Sequence, residues 1–176
     1  MALNKMSVVL PPVSFQTISG LGPQLFSVLA LWGCSVHKSG MKTIVRPRRS
    51  VLFVPAANTR ALEKSLTLSA DCVIYDLEDS VAPEAKAAAC EALAAHLSAH
   101  PKVAFERIVR VNAADTPWGR DDVAAVAKMA VNAVLLPKVE RPQDVIEAAN
   151  HLDRQDADPA MGVWAMIETP RGILNV

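Results

Sequence analysis

The stretch CVIYDLEDSVAPEAKAAA, Cys72 to Ala89, sets three carboxylates, Asp76, Glu78 and Asp79, directly behind a short apolar run. Pro83 then opens an alanine-rich segment. A brief β-branched and aromatic run reads as a buried strand, and proline followed by alanines reads as the first turn of a helix. The acids therefore sit at the carboxyl end of a strand, where a strand hands over to a helix.

The same alternation extends outward. SVLFVP (50–55), DCVIYDL (71–77), ERIVRVN (106–112), NAVLLPK (132–138) and GVWAMIE (162–168) each have the length of a buried strand. Between them, residues 58–70, 83–100, 119–130 and 141–152 place apolar side chains at helical spacing. Asn58, Pro83 with Glu84, Asp121 with Asp122, and Pro142 with Asp144 supply helix-opening signals. This order demands a parallel sheet with right-handed crossovers, and strands apolar throughout imply burial on both faces.

A doubly wound sheet and a β/α barrel both satisfy that pattern. PAANTRA (55–61) stands where a dinucleotide-binding fold would carry its G-x-G-x-x-G turn, which disfavours that version. Polar residues also gather at the carboxyl ends of four strands: Asp76, Glu78 and Asp79; Arg110 and Asn112; Lys138 and Glu140; Glu168. Barrel active sites are assembled at that face from several strand ends. Taken singly, each of these residues reads as a solvated loop charge or a cap, with Asp79 a candidate cap for the helix near Pro83; four coincident strand ends favour a site.

Composition bounds the remaining possibilities. The chain has 176 residues, 51% apolar and 20% charged, with no formal net charge, as expected of an ordinary globular protein. Its one tyrosine and the lack of a basic, aromatic-interleaved run give no footprint for nucleic acid. Cys34, Cys72 and Cys90 are too far apart for a metal pair and read as reduced thiols.

Residues 1–48 differ in character, with no Asp or Glu before Glu63 and no Arg before Arg46. They are read as an N-terminal extension outside the fold, with residues 49–176 forming the folded domain. LFSVLALWGC (25–34) is too short to span a membrane and lacks the flanks of a cleaved signal. A transit peptide or an upstream extension before Met41 remain the alternatives. The expected location is cytoplasmic, or the mitochondrial matrix if residues 1–48 are a transit peptide.

RRSVLFVPAANTRALEKSLTLSADCVIYDLEDSV (48–81), RIVRVN (107–112), VLLPKVE (134–140) and MIETPRGI (166–173) together resemble the citrate lyase β-subunit-like enzymes. That group includes malyl-CoA and citramalyl-CoA lyases, within the aldolase superfamily of phosphoenolpyruvate-binding barrels. The resemblance implies a (β/α)8 barrel and a Mg²⁺-dependent carbon–carbon lyase acting on a short 3-hydroxyacyl thioester of coenzyme A or a carrier. It implies Glu168 as a metal ligand and Arg110 as the group that holds the substrate carboxylate or thioester oxygen. Glu78 and Asp79 would bind metal water and orient Arg110, while Arg60 and Lys64 would pair with coenzyme A phosphates. From the residues alone, Arg60 and Lys64 read equally well as two solvated helix charges.

Ala56 and Ala57 stand where relatives commonly carry a glycine, a departure that disfavours close ligand approach at that turn. By the same resemblance, a second metal carboxylate and three further strands belong beyond Val176. The sequence is therefore expected to hold about five β/α units of a barrel, with an open sheet edge after VWAMIE. Two function classes stay open: the lyase, homo-oligomeric when complete, or an inactive, partner-dependent half-barrel. No membrane partner is expected.

Other signals weigh less. His96 and His100 lie one helical turn apart but lack the glutamate beside the first histidine that marks a metalloprotease helix, and a helix C-terminus favours histidine in any case. Trp118 reads as a loop or packing residue. Lys138 could be read as a Schiff-base lysine, but the resemblance to metal-dependent enzymes favours a structural or substrate-orienting role.

Overall fold

A computed structural model describes residues 47–175 in full, and the backbone of two short strands before them. Those strands are β1 (Ser7–Val9) and β2 (Ser35–His37). Then follow β3 (Val51–Pro55), α1 (Thr59–Ser65), β4 (Cys72–Asp76), a 3-10 turn at Pro83–Ala85, α2 (Lys86–Ala99), β5 (Glu106–Arg110) and α3 (Gly119–Val126). The chain continues through β6 (Ala133–Leu136), α4 (Pro142–Arg154), β7 (Gly162–Ala165) and α5 (Pro170–Leu174).

β3 to β7 form a parallel sheet in sequential order, each strand paired with the next. β2 pairs antiparallel with β7 through Val36 and Val163, and β1 pairs with β2. The edge after β7, expected to be open, thus carries a strand whose amide and carbonyl groups meet those of β7. Apart from these two strands and residues 47 and 48, the extension read at residues 1–48 lies outside the described residues. Arg48 itself makes an ion pair with Glu106 and stacks over Trp164, 5.0 Å from the ring centre.

Alternation along the strands sorts the side chains onto two faces. Val73, Tyr75, Val109, Val111, Val134, Leu136 and Val163 share one core with helix residues Leu62, Leu93, Leu97, Val123, Val126 and Leu152. On the opposite face Cys72, Ile74, Ile108, Ala133, Leu135 and Trp164 form a second, smaller cluster with no helix over it among the described residues. Helices on one face only among the described residues, together with a strand order that does not reverse from β3 to β7, set this sheet apart from a doubly wound one. The sheet does not close on itself. β4, β5 and β6 are buried along their whole length, whereas Val51, Leu52 and Phe53 on the edge strand β3 are exposed.

Most helix starts behave as the sequence suggests. Asn58 caps α1 by accepting a hydrogen bond from the Ala61 amide at 3.0 Å. Asp144 accepts from the amides of Glu140 and Arg141 at the start of α4. Near Pro83 the chain first winds one 3-10 turn and α2 begins at Lys86 without a side-chain cap, so Asp79 does not fill that role.

The loop between β5 and α3 closes tightly on Gly119. A methyl group there would lie 2.2 Å from the Ala113 carbonyl oxygen and 2.9 Å from that of Asn112, both backbone atoms. Gly119→Ala is expected to cost about 3 kcal/mol, at the upper end of overpacking penalties because backbone must move. Urea denaturation showing less than about 1 kcal/mol of lost stability would contradict this packing.

No helix among the described residues is long and apolar enough to cross a membrane.

Candidate active site

Asp76 and Arg110 are direct register partners at the carboxyl ends of β4 and β5. Period two puts both on the helix-free face, because Tyr75, Val109 and Val111 point toward the helices. Their side chains meet as a fork: Arg110 Nε donates to Asp76 Oδ1 at 2.7 Å and Nη2 donates to Oδ2 at 2.8 Å. Two parallel charge-assisted bonds fix the guanidinium plane. Phe53 lies under that plane, 5.1 Å from the guanidinium carbon.

Behind Asp76 the chain turns so that the amides of Glu78 and Ser80 donate to the Asp76 carboxylate at 2.9 and 3.1 Å. Burial opposes ionisation of Asp76. The Arg110 pair and the Ser80 and Glu78 bonds outweigh it, leaving its pKa below the usual carboxylate range. The stability from this ionised pair is therefore present above the ordinary aspartate pKa and fades as pH falls through the lowered one.

Glu78 is buried at 5% exposure between two cations. Its Oε2 lies 3.0 Å from Arg110 Nη1 and its Oε1 lies 2.7 Å from Lys138 Nζ. Both are ion-pair contacts by distance, yet neither oxygen has a partner in hydrogen-bond geometry. Asp79 is exposed and stands 3.4 Å from Arg110 Nη1.

Lys138 occupies a left-handed backbone position, φ 52°, at the end of β6. That conformation is uncommon for a residue with a Cβ. It aims the Lys138 amide at Glu168 Oε1, 2.9 Å away, while the side chain reaches Glu78. Glu78 holds the Lys138 pKa above its ordinary value, with further help from Asp79 and Glu168. A lysine kept protonated is a poor amine nucleophile, so the Schiff-base reading finds no support in the geometry.

The strand ends of β4, β5, β6 and β7 thus come together. Arg110, Glu78, Asp79 and Glu168, the residues expected from sequence, share one network with Lys138 and Asp76. Arg60 and Lys64 are exposed on α1 and join no ion pair among the described residues.

Asp76 is the residue that sequence reading underrated: it, rather than Glu78 or Asp79, makes the two-pronged bond to Arg110. Lys86 is a second. Buried in the first turn of α2, it donates from Nζ to the carbonyls of Leu77 at 2.9 Å and Glu78 at 2.6 Å, and it lies 5.5 Å from the Trp118 ring centre. Asn112 holds the same turn from β5, donating to the Leu77 carbonyl at 3.0 Å and to buried Asp122 at 2.6 Å. Lys86→Met strips a charged donor from two carbonyls and is expected to lower stability by about 2–3 kcal/mol. Denaturant unfolding within about 0.5 kcal/mol of wild type would contradict that tether.

The donor set suits a hard divalent cation. Four carboxylates (Asp76, Glu78, Asp79, Glu168) face two cations (Arg110, Lys138), an excess of two negative charges. Glu78 brings two buried oxygens that lack hydrogen bonds, and Glu168 is exposed with one oxygen committed to the Lys138 amide. Oxygen ligands in excess negative charge are what Mg²⁺ takes, with waters completing the shell.

Residues 49–176 match the HpcH/HpaI aldolase/citrate lyase family. The chain belongs to that family. It is 46% identical over 129 residues to a (3S)-malyl-CoA thioesterase of Cereibacter sphaeroides, covering 73% of this chain and 43% of that protein. Citrate lyase subunit beta of Escherichia coli is 40% identical over 134 residues, with 73% and 44% covered. Human mitochondrial citramalyl-CoA lyase is 30% identical over 135 residues, with 73% and 40% covered.

Among solved structures, the citrate lyase beta subunit of M. tuberculosis with oxaloacetate and magnesium matches at TM-score 0.56 and 37% identity, covering 71% of this chain and 51% of that one. The CitE protein of the same organism with magnesium, acetoacetate and coenzyme A matches at TM-score 0.56 and 34% identity, with 73% and 44% covered. The chain spans under half the length of these curated relatives.

Proposed function

We propose that the protein is a Mg²⁺-dependent carbon–carbon lyase cleaving a short 3-hydroxyacyl thioester of malyl, citramalyl or citryl type, carried on coenzyme A or an acyl carrier. The observation that carries this reading is the fixed Arg110 fork at the carboxyl end of β5, in a network with an excess of carboxylates. On this reading the five sequential β/α units belong to a (β/α)8 barrel and the helix-free face is its interior, with Arg110 at the carboxyl-terminal end where such barrels place active sites. A cytoplasmic or mitochondrial matrix location and assembly as a homo-oligomer belong to the same reading.

In the cleavage, the proton leaves the 3-hydroxyl and the bond between C2 and C3 breaks. Its electrons pass into the thioester carbonyl as an enolate, and a proton returns to C2. Arg110 would face the oxygen on which negative charge grows, and its plane, fixed by Asp76, needs no rearrangement at that moment. Glu168 would hold Mg²⁺ directly, with Glu78 and Asp79 accepting from its waters. When bound, Mg²⁺ supplies Lewis-acid polarisation of a substrate oxygen. Lys138 would orient the substrate carboxylate. Arg60 and Lys64, in the helix that follows the carboxyl end of β3, would meet coenzyme A phosphates.

The Cereibacter relative's name favours a second reading, thioester hydrolysis. Incubation of the intact protein with malyl-CoA and Mg²⁺ separates the two. Carbon–carbon cleavage yields glyoxylate and acetyl-CoA with no free thiol, stopped by EDTA. Free thiol without glyoxylate would establish hydrolysis instead, and the absence of cleavage of malyl-CoA and of the citramalyl and citryl thioesters would overturn the proposal.

A further inference from the structure

Three ligating side chains meet in the helical layer, on the opposite face of the sheet from Arg110. His96 lies in the last turn of α2 and His100 caps that helix, while Glu63 projects from α1 next to it. Their ligating atoms all lie within 4.8 Å of one another. We propose that Glu63, His96 and His100 form a Zn²⁺ site that clips α1 to α2, independent of the carboxylate-rich site at the strand ends.

The spacing of the three side chains is compatible with a shared ion. His96 Nδ1 and Glu63 Oε1 are 3.3 Å apart, about the ligand-to-ligand separation around a tetrahedral ion with bonds of about 2.0–2.2 Å. The two histidine rings lie 4.7 Å apart between centroids, both on the side of the helix that meets α1.

His100 Nδ1 lies 2.9 Å from the His96 carbonyl oxygen. Donating there fixes the tautomer that leaves Nε2 free as a ligand, the usual arrangement of a metal-binding histidine. His96 is 8% exposed, its ring packs edge-on against Tyr75, and its Nε2 has no hydrogen-bond partner.

The charged group facing the cluster from β5 is Arg107, and its guanidinium donates to the carbonyls of His100 at 2.9 Å and Pro101 at 3.3 Å. Those bonds draw the guanidinium toward backbone oxygens rather than into the space between the three ligands.

Two histidines and one glutamate, with a fourth position left for water, suit Zn²⁺ and other borderline divalent ions. Mg²⁺ prefers an all-oxygen shell and is not expected to compete. Because both helices run from the carboxyl ends of their strands toward the other end of the sheet, the ion would act as a staple in the helical layer. It would take no part in chemistry at Arg110.

The test is Zn²⁺ competition against a chromogenic chelator at pH 7.5, using the full chain in the presence of millimolar Mg²⁺. Wild type is expected to hold one Zn²⁺ equivalent that Mg²⁺ does not displace. Glu63→Gln and His100→Ala, both outside the core, should each weaken that equivalent at least about tenfold. At a hundredfold excess over the wild-type Kd, Zn²⁺ should raise the wild-type Tm by about 5 °C or more and that of the variants by no more than about half as much. No Zn²⁺ binding by wild type, or the same affinity in wild type and both variants, would overturn the site. Equal affinity would place the ion on other histidines or cysteines.

Discussion

Arg110→Lys is expected to leave the fold assembled and to lower turnover of the intact protein by about 10²–10³-fold, the scale of losing a positioned oxyanion donor. The substitution keeps the charge and removes the fork. An ammonium can approach one oxygen of Asp76 or turn toward Glu78, but it cannot bond both Asp76 oxygens at 2.7 and 2.8 Å while Nη1 serves Glu78 and Asp79. One buried carboxylate then loses its cation. The stability cost should stay below the roughly 3–5 kcal/mol of removing a buried partner outright, because positive charge remains. Far-ultraviolet circular dichroism is expected to match wild type, and a kcat within about threefold of wild type with intact dichroism would contradict the role given to Arg110.

Glu168→Gln is expected to weaken Mg²⁺ binding about 10–100-fold, on the scale of losing a well-placed partner at a metal site. Glutamine preserves the acceptor for the Lys138 amide, so the hydrogen bond at 2.9 Å and the left-handed backbone of Lys138 need not change. What disappears is one formal charge from a cluster that holds four carboxylates against two cations. Isothermal titration with MgCl₂ reads the effect directly. Unchanged affinity would remove Glu168 from the ligand set and leave Glu78 and Asp79 to account for any binding.

The alternation of strand and helix was legible because most strands are short apolar runs, β5 (ERIVR) being the exception, and the segments between them carry helix-opening residues. The side of the sheet on which Arg110 falls was legible too, since Val109 and Val111 flank it and both join the helical core. Partnership was harder to read. Asp76 meets Arg110 only because parallel pairing sets the two in register, and register is a property of two strands that neither shows alone.

Lys86 reads in sequence as an exposed lysine early in an alanine-rich helix. Its burial depends on two carbonyls left pointing inward where the chain turns after β4. Asp122 looks like an acid in the first turn of α3, yet it is buried against the Asn112 amide and side chain. Desolvation raises its pKa despite those bonds. The pairing of His96 and His100 could be seen in the helical period, while Glu63, more than thirty positions earlier, joins them only once α1 and α2 pack side by side.

The most direct test of the strand-end site is to place its metal. Mn²⁺ substitutes for Mg²⁺ with the same oxygen preference and scatters anomalously. Crystals of the intact protein soaked in Mn²⁺ are expected to show an anomalous peak within about 2.3 Å of a Glu168 carboxylate oxygen, facing Arg110 and Glu78. A peak confined to Glu63, His96 and His100, or no peak at the strand ends at saturating Mn²⁺, would contradict the account.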